Sequence, residues 1–206
     1  MRPGEPVFKQ CSHCPNAIAV STFLSGNAFG AVLWSDGKLD APMLPFTPRL
    51  IACPYCQSLV WLSQLRKPNW KKLLMTHGIF MWDAKHYDEP TLDQYVAYLH
   101  AHTLDTNKER YVRQQIWWCH NDARRQTTHG IPLRADEQVN LTRLAELINE
   151  RMTDQRLMKA EVMRQLARFA EAEALLQRIR NQEYADVVAQ LRALVHAQNA
   201  TLVQLH

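Results

Sequence analysis

Four of the five cysteines fall in two Cys-x-x-Cys pairs, Cys11-Ser12-His13-Cys14 and Cys53-Pro54-Tyr55-Cys56. One such pair offers two sulfurs from a single tight turn, and two pairs complete the closed tetrahedron of soft ligands that zinc prefers in a structural role. The spacing therefore predicts one structural zinc ion on Cys11, Cys14, Cys53 and Cys56, with no open position for an activated water. The alternative is a pair of unrelated buried or redox-active dithiols, which this spacing favours less. His13 lies inside a pair that needs no further ligand and reads as a bystander. The pairs are separated by 38 residues, longer than the usual ribbon spacer, and the excess is absorbed if residues 29–48 form a hairpin and a proline-rich loop. Pro15 and Gln57 follow the two pairs at positions where glycine is common.

Other residues offer less chemistry. The nine histidines and scattered carboxylates show no metal-hydrolase spacing, no phosphate-cradling glycine loop and no nucleophile elbow. His86 with Asp83 and Asp88, or His120 with Asp122, are neighbours along the chain only, and adjacency says little about geometry. A protein without catalytic activity is expected. Arg66, Lys67, Lys71 and Lys72 lie beside Trp61 and Trp70, so phosphate contacts would sit next to stacking faces, the pattern of a nucleic-acid site. The competing reading of this stretch is a solvated connector.

The elements that must position these groups change character along the chain. Residues 28–34 are apolar with aromatic and β-branched members, and they run into Ser35-Asp36-Gly37, a strong hairpin signal. Pro42, Pro45 and Pro48 keep the following residues extended and outside any ladder. Two further strands are expected to frame the second cysteine pair, at residues 49–52 and 59–62. Helical periodicity takes over from Thr91. Thr91 with Gln94, and Thr106 with Glu109, have capping-box spacing and predict helix starts at both threonines. Val112, Ile116, Cys119 and Ala123 form an apolar stripe on the second of these helices, which makes Cys119 a small core residue. Trp117 and Trp118 point about 100° apart, so at least one must pack or stay exposed. Gly130 and Pro132 break the chain before a helix carrying Leu141, Leu144, Ala145 and Ile148. Three more amphipathic segments follow, through Leu157 to Leu166, Phe169 to Ile179 and Val187 to Leu194.

The chain has 206 residues, 47% of them hydrophobic, which suits one sizeable domain or two small ones. Its formal charge of +4 predicts no particular partner, and four thiolates on one divalent ion would lower it by two. No charge occurs from Cys14 to Ser35, a length that a membrane span could use. Pro15, Asn16, Asn27 and two glycines inside the run argue for β structure instead, so no membrane partner is expected. The opening residues lack the basic start and apolar stretch of a secretory signal, which, with paired rather than disulfide-patterned cysteines, predicts a cytoplasmic protein.

The segment from Cys11 to Leu62, with Ser25-Gly26-Asn27-Ala28-Phe29-Gly30, Trp34-Ser35-Asp36-Gly37 and Ala41-Pro42-Met43-Leu44-Pro45, resembles the zinc ribbon of a group of uncharacterised bacterial proteins. That resemblance implies the fold and no activity. Residues 164–176 are similar to the helix junction of a tetratricopeptide repeat: with Thr153 as first position, Ala160, Ala167, Phe169, Ala172, Leu176 and Ile179 fall where the repeat wants small or aromatic residues. The similarity covers one repeat, with Tyr184 in place of its closing proline and Arg156 in place of its early aromatic; a generic helical bundle remains open beside it. The expected fold is α+β: a small zinc-ribbon β domain over residues 11–64, a basic, aromatic connector over 65–90, and an all-α, partly repeat-like region over 91–206. The expected role is a zinc-stabilised adaptor or scaffold that binds another protein, with nucleic-acid binding through Arg66, Lys67, Trp70, Lys71 and Lys72 as the alternative.

Overall fold

The structure, a computed structural model, describes residues 1–44, 46–127 and 131–206. Pro45 and Gly130, two of the breakers named above, lie outside the described residues. In chain order the strands are β1 Arg2–Pro3, β2 Val7–Gln10, β3 Ala17–Val20, β4 Phe23–Ser25, β5 Val32–Trp34, β6 Leu39–Asp40, β7 Leu50–Ala52, β8 Leu59–Trp61, β9 Lys85–His86 and β10 Gln204–Leu205. The helices are α1 Trp70–His77, α2 Leu92–Ala101, α3 Thr106–Arg125, α4 Ala135–Leu147, α5 Thr153–Gln165, α6 Phe169–Leu176 and α7 Ala185–His196. The fold is thus α+β, with small sheets early in the chain and helices later. It divides into two compact units, Met1–Ala31 with Ala41–Gln94, and Val32–Asp40 with Tyr95–His206.

The first unit is built from short antiparallel hairpins. β2 pairs with β3 and β7 with β8, while β9 joins β3 in parallel and β1 pairs with β4. Its core is small: Ile18, Ile51, Val60 and Leu65 are buried together with Cys11 and Cys53. Residues 65–90, read from the sequence as a connector, contribute α1 and β9 to this unit. Asn69 caps α1, its side-chain oxygen accepting from the Lys72 amide, and Leu73 is the buried residue of the helix. Gly78 ends it in the left-handed conformation at φ 65, which glycine alone adopts without strain.

The second unit packs α3 to α7 around Trp117, Leu141, Leu144, Ala160, Val162, Met163, Ala172, Leu176 and Leu191, all at most 3% exposed. The β5–β6 hairpin groups with these helices and not with the strands on either side of it, for two reasons. β10 pairs antiparallel with β5, Leu205 opposite Leu33. The turn residues are also buried polar groups whose partners are helical. Asp36, 2% exposed, accepts from the Asn121 amide at 2.8 Å and pairs with Arg125, and its carbonyl accepts from the Trp118 indole. Ser35 Oγ accepts from Arg164, which is itself fully buried and held bidentately by Glu161 at 2.7 Å. The guanidinium also donates to the carbonyls of Asn199 and Thr201, tying the chain's last turn to α5.

Three local expectations change. The cap of α3 is Asp105, whose carboxylate accepts from the Lys108 amide at 2.9 Å, and not Thr106; an anionic acceptor at a helix start gains from the aligned peptide dipoles as well as the hydrogen bond. Glu109 serves Arg113 and Arg143 instead. On α3 the buried side runs through Val112, Ile116, Trp117 and Asn121, leaving Cys119 half-buried and Ala123 exposed, because the helix must present Asn121 to Asp36. In the hairpin only Gly37 is left-handed, at φ 75, and Trp34 N donates to Lys38 O, so the loop holds three residues in place of the two-residue turn that Asp-Gly suggests. At Thr91 the capping box is present in both directions.

Removing one member of a buried ion pair strands the other. Arg164→Ala should therefore cost about 3–5 kcal/mol in denaturant unfolding of the helical signal. The double change Glu161→Met with Arg164→Met should cost less than the single one, since no charge is left without a partner.

Candidate metal centre

Each cysteine pair occupies the loop of a β-hairpin. The first loop joins β2 to β3, where Gln10 faces Ala17 and Cys11 N donates to Asn16 O at 3.1 Å. The second joins β7 to β8, where Ala52 faces Leu59 and Cys53 N donates to Ser58 O at 3.0 Å. Buried Ile18, Ile51 and Val60 pack the two hairpins together and bring the loops face to face. Gln57 stands at the position where glycine was expected and takes its conformation, φ 57. Its side chain is tethered to Asp88 and Gln94, which helps hold this uncommon backbone. Tyr55 reaches out of the second loop, donating to Asp83 O at 2.6 Å and accepting from Lys85 N at 2.8 Å, and thereby anchors β9.

The ligand atoms of Cys11, Cys14, Cys53 and Cys56 lie within 4.8 Å of one another. Cys11 Sγ is 3.9 Å from Cys56 Sγ, and Cys14 Sγ is 3.7 Å from Cys53 Sγ. These are far longer than a sulfur–sulfur bond, and all four are free thiols. A tetrahedron of sulfurs about 2.3 Å from a central ion has edges of about 3.8 Å, so the two distances are those of a metal–thiolate cage. Cys53 and Cys11 are buried, and burial pushes both thiols above their ordinary value. At Cys56 desolvation acts in the same direction, but hydrogen bonds from Ser58 and the neighbouring cysteines outweigh it and bring the thiol down to about 7. A divalent cation at the centre would supply the charge that stabilises the buried thiolates. His13 is exposed and outside the cluster.

The remaining residues singled out by sequence do not assemble into a second site. His86 sits 3.4 Å from Ser21 Oγ, while Asp83 accepts from Phe80 N and Asp88 from Gln57. His120 Nδ1 lies 3.1 Å from Glu137, not Asp122, and burial lowers its affinity for a proton. Asp122 pairs with Lys38 and Arg125. Trp61 is 4% exposed, with Arg49 over its ring, and Trp70 packs edge-on against Phe8 with centroids 5.4 Å apart. Arg66, Lys67, Lys71 and Lys72 are all exposed.

Cys53→Ser should abolish stoichiometric metal in elemental analysis and unfold the first unit, leaving most of the helical signal of the second. Metal binding must displace protons from Cys11 and Cys53, whose thiols are raised, so acidification should release the ion; titration with a chromogenic chelator should show release rising as pH falls. No protein-family model, no curated protein and no solved structure matches this chain.

Proposed function

We propose that the chain is a zinc-stabilised binding protein, an adaptor or scaffold in the bacterial cytoplasm whose ion is structural and whose partner is another protein. Zinc suits the donor set because four thiolates at tetrahedral spacing favour a borderline-soft ion with no geometric demand of its own. Such a shell is closed, which directs the reading towards binding and away from catalysis. On this reading the two hairpin loops form a zinc ribbon.

The observation that carries the protein-partner reading is a cleft of about 290 Å³ in the helical unit. Leu33, Leu157, Met158, Val187, Leu191 and Leu205 form most of its apolar wall, with Gln114 and Asp154 also lining it, a size and polarity suited to an apolar side chain of a partner. The tetratricopeptide-like reading of α5 and α6 is supported by Ala160, Ala172, Leu176 and Ile179, which are buried. Ala167 departs from it: it is exposed in the turn between the helices, at φ 58, and outside the buried core.

Affinity capture with the full chain should return a stoichiometric protein. Met158→Glu, which places a charge in the cleft, should lose it by at least about tenfold, the scale of one buried anchor, while Met158→Leu retains it and both variants melt normally. Capture that ignores Met158→Glu would refute the cleft as the binding surface.

A further inference from the structure

Within the first unit, one stretch combines two features that folded proteins usually keep apart. No carboxylate occurs between Asp40 and Asp83, while Arg66, Lys67, Lys71 and Lys72 fall in that interval. None of the four forms an ion pair among the described residues, whereas Lys38, Lys108, Lys159 and nine arginines of the second unit do. Beside these cations the same stretch exposes large apolar side chains. Met75 and Trp82 are each 77% exposed, and Leu74, Phe80 and Met81 are exposed as well.

The backbone explains the display. With Leu73 turned inward, Lys71 and Met75 fall one turn apart on the outward side of α1. At its end Gly78 N donates to Leu74 O and Ile79 N to Leu73 O, a reversal that closes the helix and leads straight into Phe80-Met81-Trp82. The Phe80 and Trp82 rings stack on each other, with centroids 4.6 Å apart and planes within 12°. Stacking leaves Trp82 largely in solvent and stiffens both rings as a pair.

We infer that this surface docks onto a bilayer carrying anionic phospholipid, lying in its interface without crossing it. The charge is complementary: Arg66, Lys67, Lys71 and Lys72, without an ion pair among the described residues, meet the negative headgroups, which attract each such cation at close range. The apolar side chains suit the layer beneath: beside Lys71, whose long side chain can reach the headgroups, Met75 and Trp82 can enter the boundary between headgroups and acyl chains. Met75 and Trp82 project from the surface and line neither of the two clefts described in the helical unit. Projecting knobs fit a soft acceptor better than a preformed pocket. Nucleic acid fits less well. Leu74, Met75 and Met81 offer nothing to a base, and of the aromatic rings nearest the cations Trp61 is buried and Trp70 is half-buried with its ring against Phe8. No described helix is long and apolar enough to cross a membrane, so the contact is peripheral. This proposal rests on the first unit alone and stands or falls separately from the helical cleft.

The test is co-sedimentation of the metal-loaded full chain with vesicles of phosphatidylcholine alone and with vesicles containing phosphatidylglycerol. Binding should be at least about tenfold tighter to the anionic vesicles and weaken with salt. Lys71→Glu with Lys72→Glu should reduce it about tenfold or more. Met75→Ser with Trp82→Ser should reduce it similarly and remove quenching of tryptophan fluorescence by brominated lipid. All four side chains are exposed, so metal content and melting should stay unchanged. Absence of binding to anionic vesicles, binding indifferent to both double variants, or capture of a single-stranded oligonucleotide through these residues with vesicles left unbound would each overturn the proposal.

Discussion

Four sulfur atoms from two loops share a volume only a few ångströms across, and the first unit is organised around that convergence. Its strands are two to four residues long, and its buried cluster holds few aliphatic side chains. So little apolar surface does not offset the conformational entropy of the chain it orders. A bound structural metal contributes on the order of 10–16 kcal/mol to modules of this kind. The raised thiols of Cys11 and Cys53 are the electrostatic side of the same constraint: burial without a cation disfavours the thiolates, and a cation reverses the sign.

The second unit solves the same problem with a different material. Its helices bury a continuous apolar core, and its hairpin is fastened by charged groups taken out of water in pairs. Arg164 is the centre of one set, reaching Glu161, Ser35, Asn199 and Thr201. Asp36 is the centre of the other, reaching Arg125, Asn121 and Lys38 N. Such pairs add little net stability over apolar residues of equal volume, but they tolerate only one arrangement. Here that arrangement sets the position of the hairpin on the helices.

The two units also divide the surfaces a partner could use. In the first unit four cysteines cluster between two hairpin loops, and the periphery presents Arg66, Lys67, Lys71 and Lys72 beside exposed apolar side chains. The helical unit presents a concave, apolar cleft.

The two cysteine pairs that come together were legible in the sequence because a Cys-x-x-Cys turn is local geometry: the pair fixes its own spacing whatever surrounds it. The hairpins beside Cys53 and at Gly37, the helix start at Thr91 and the stripe of α4 were legible for the same reason, each depending on residues within a turn or two. The cap at Asp105 was also local and was missed because the neighbouring threonine matched the more familiar motif. What the sequence did not disclose involves residues far apart in the chain. Nothing in Ser35-Asp36 announces burial; their helical partners lie more than eighty residues away, on α3 and α5, and only packing makes a buried carboxylate tolerable there. Trp61 and Trp82 are likewise the same residue type in similar company, yet one is covered and the other projects. Local propensity and ligand spacing are written in consecutive residues, whereas exposure is a property of everything that comes to lie on top of them, and tertiary structure alone decides it.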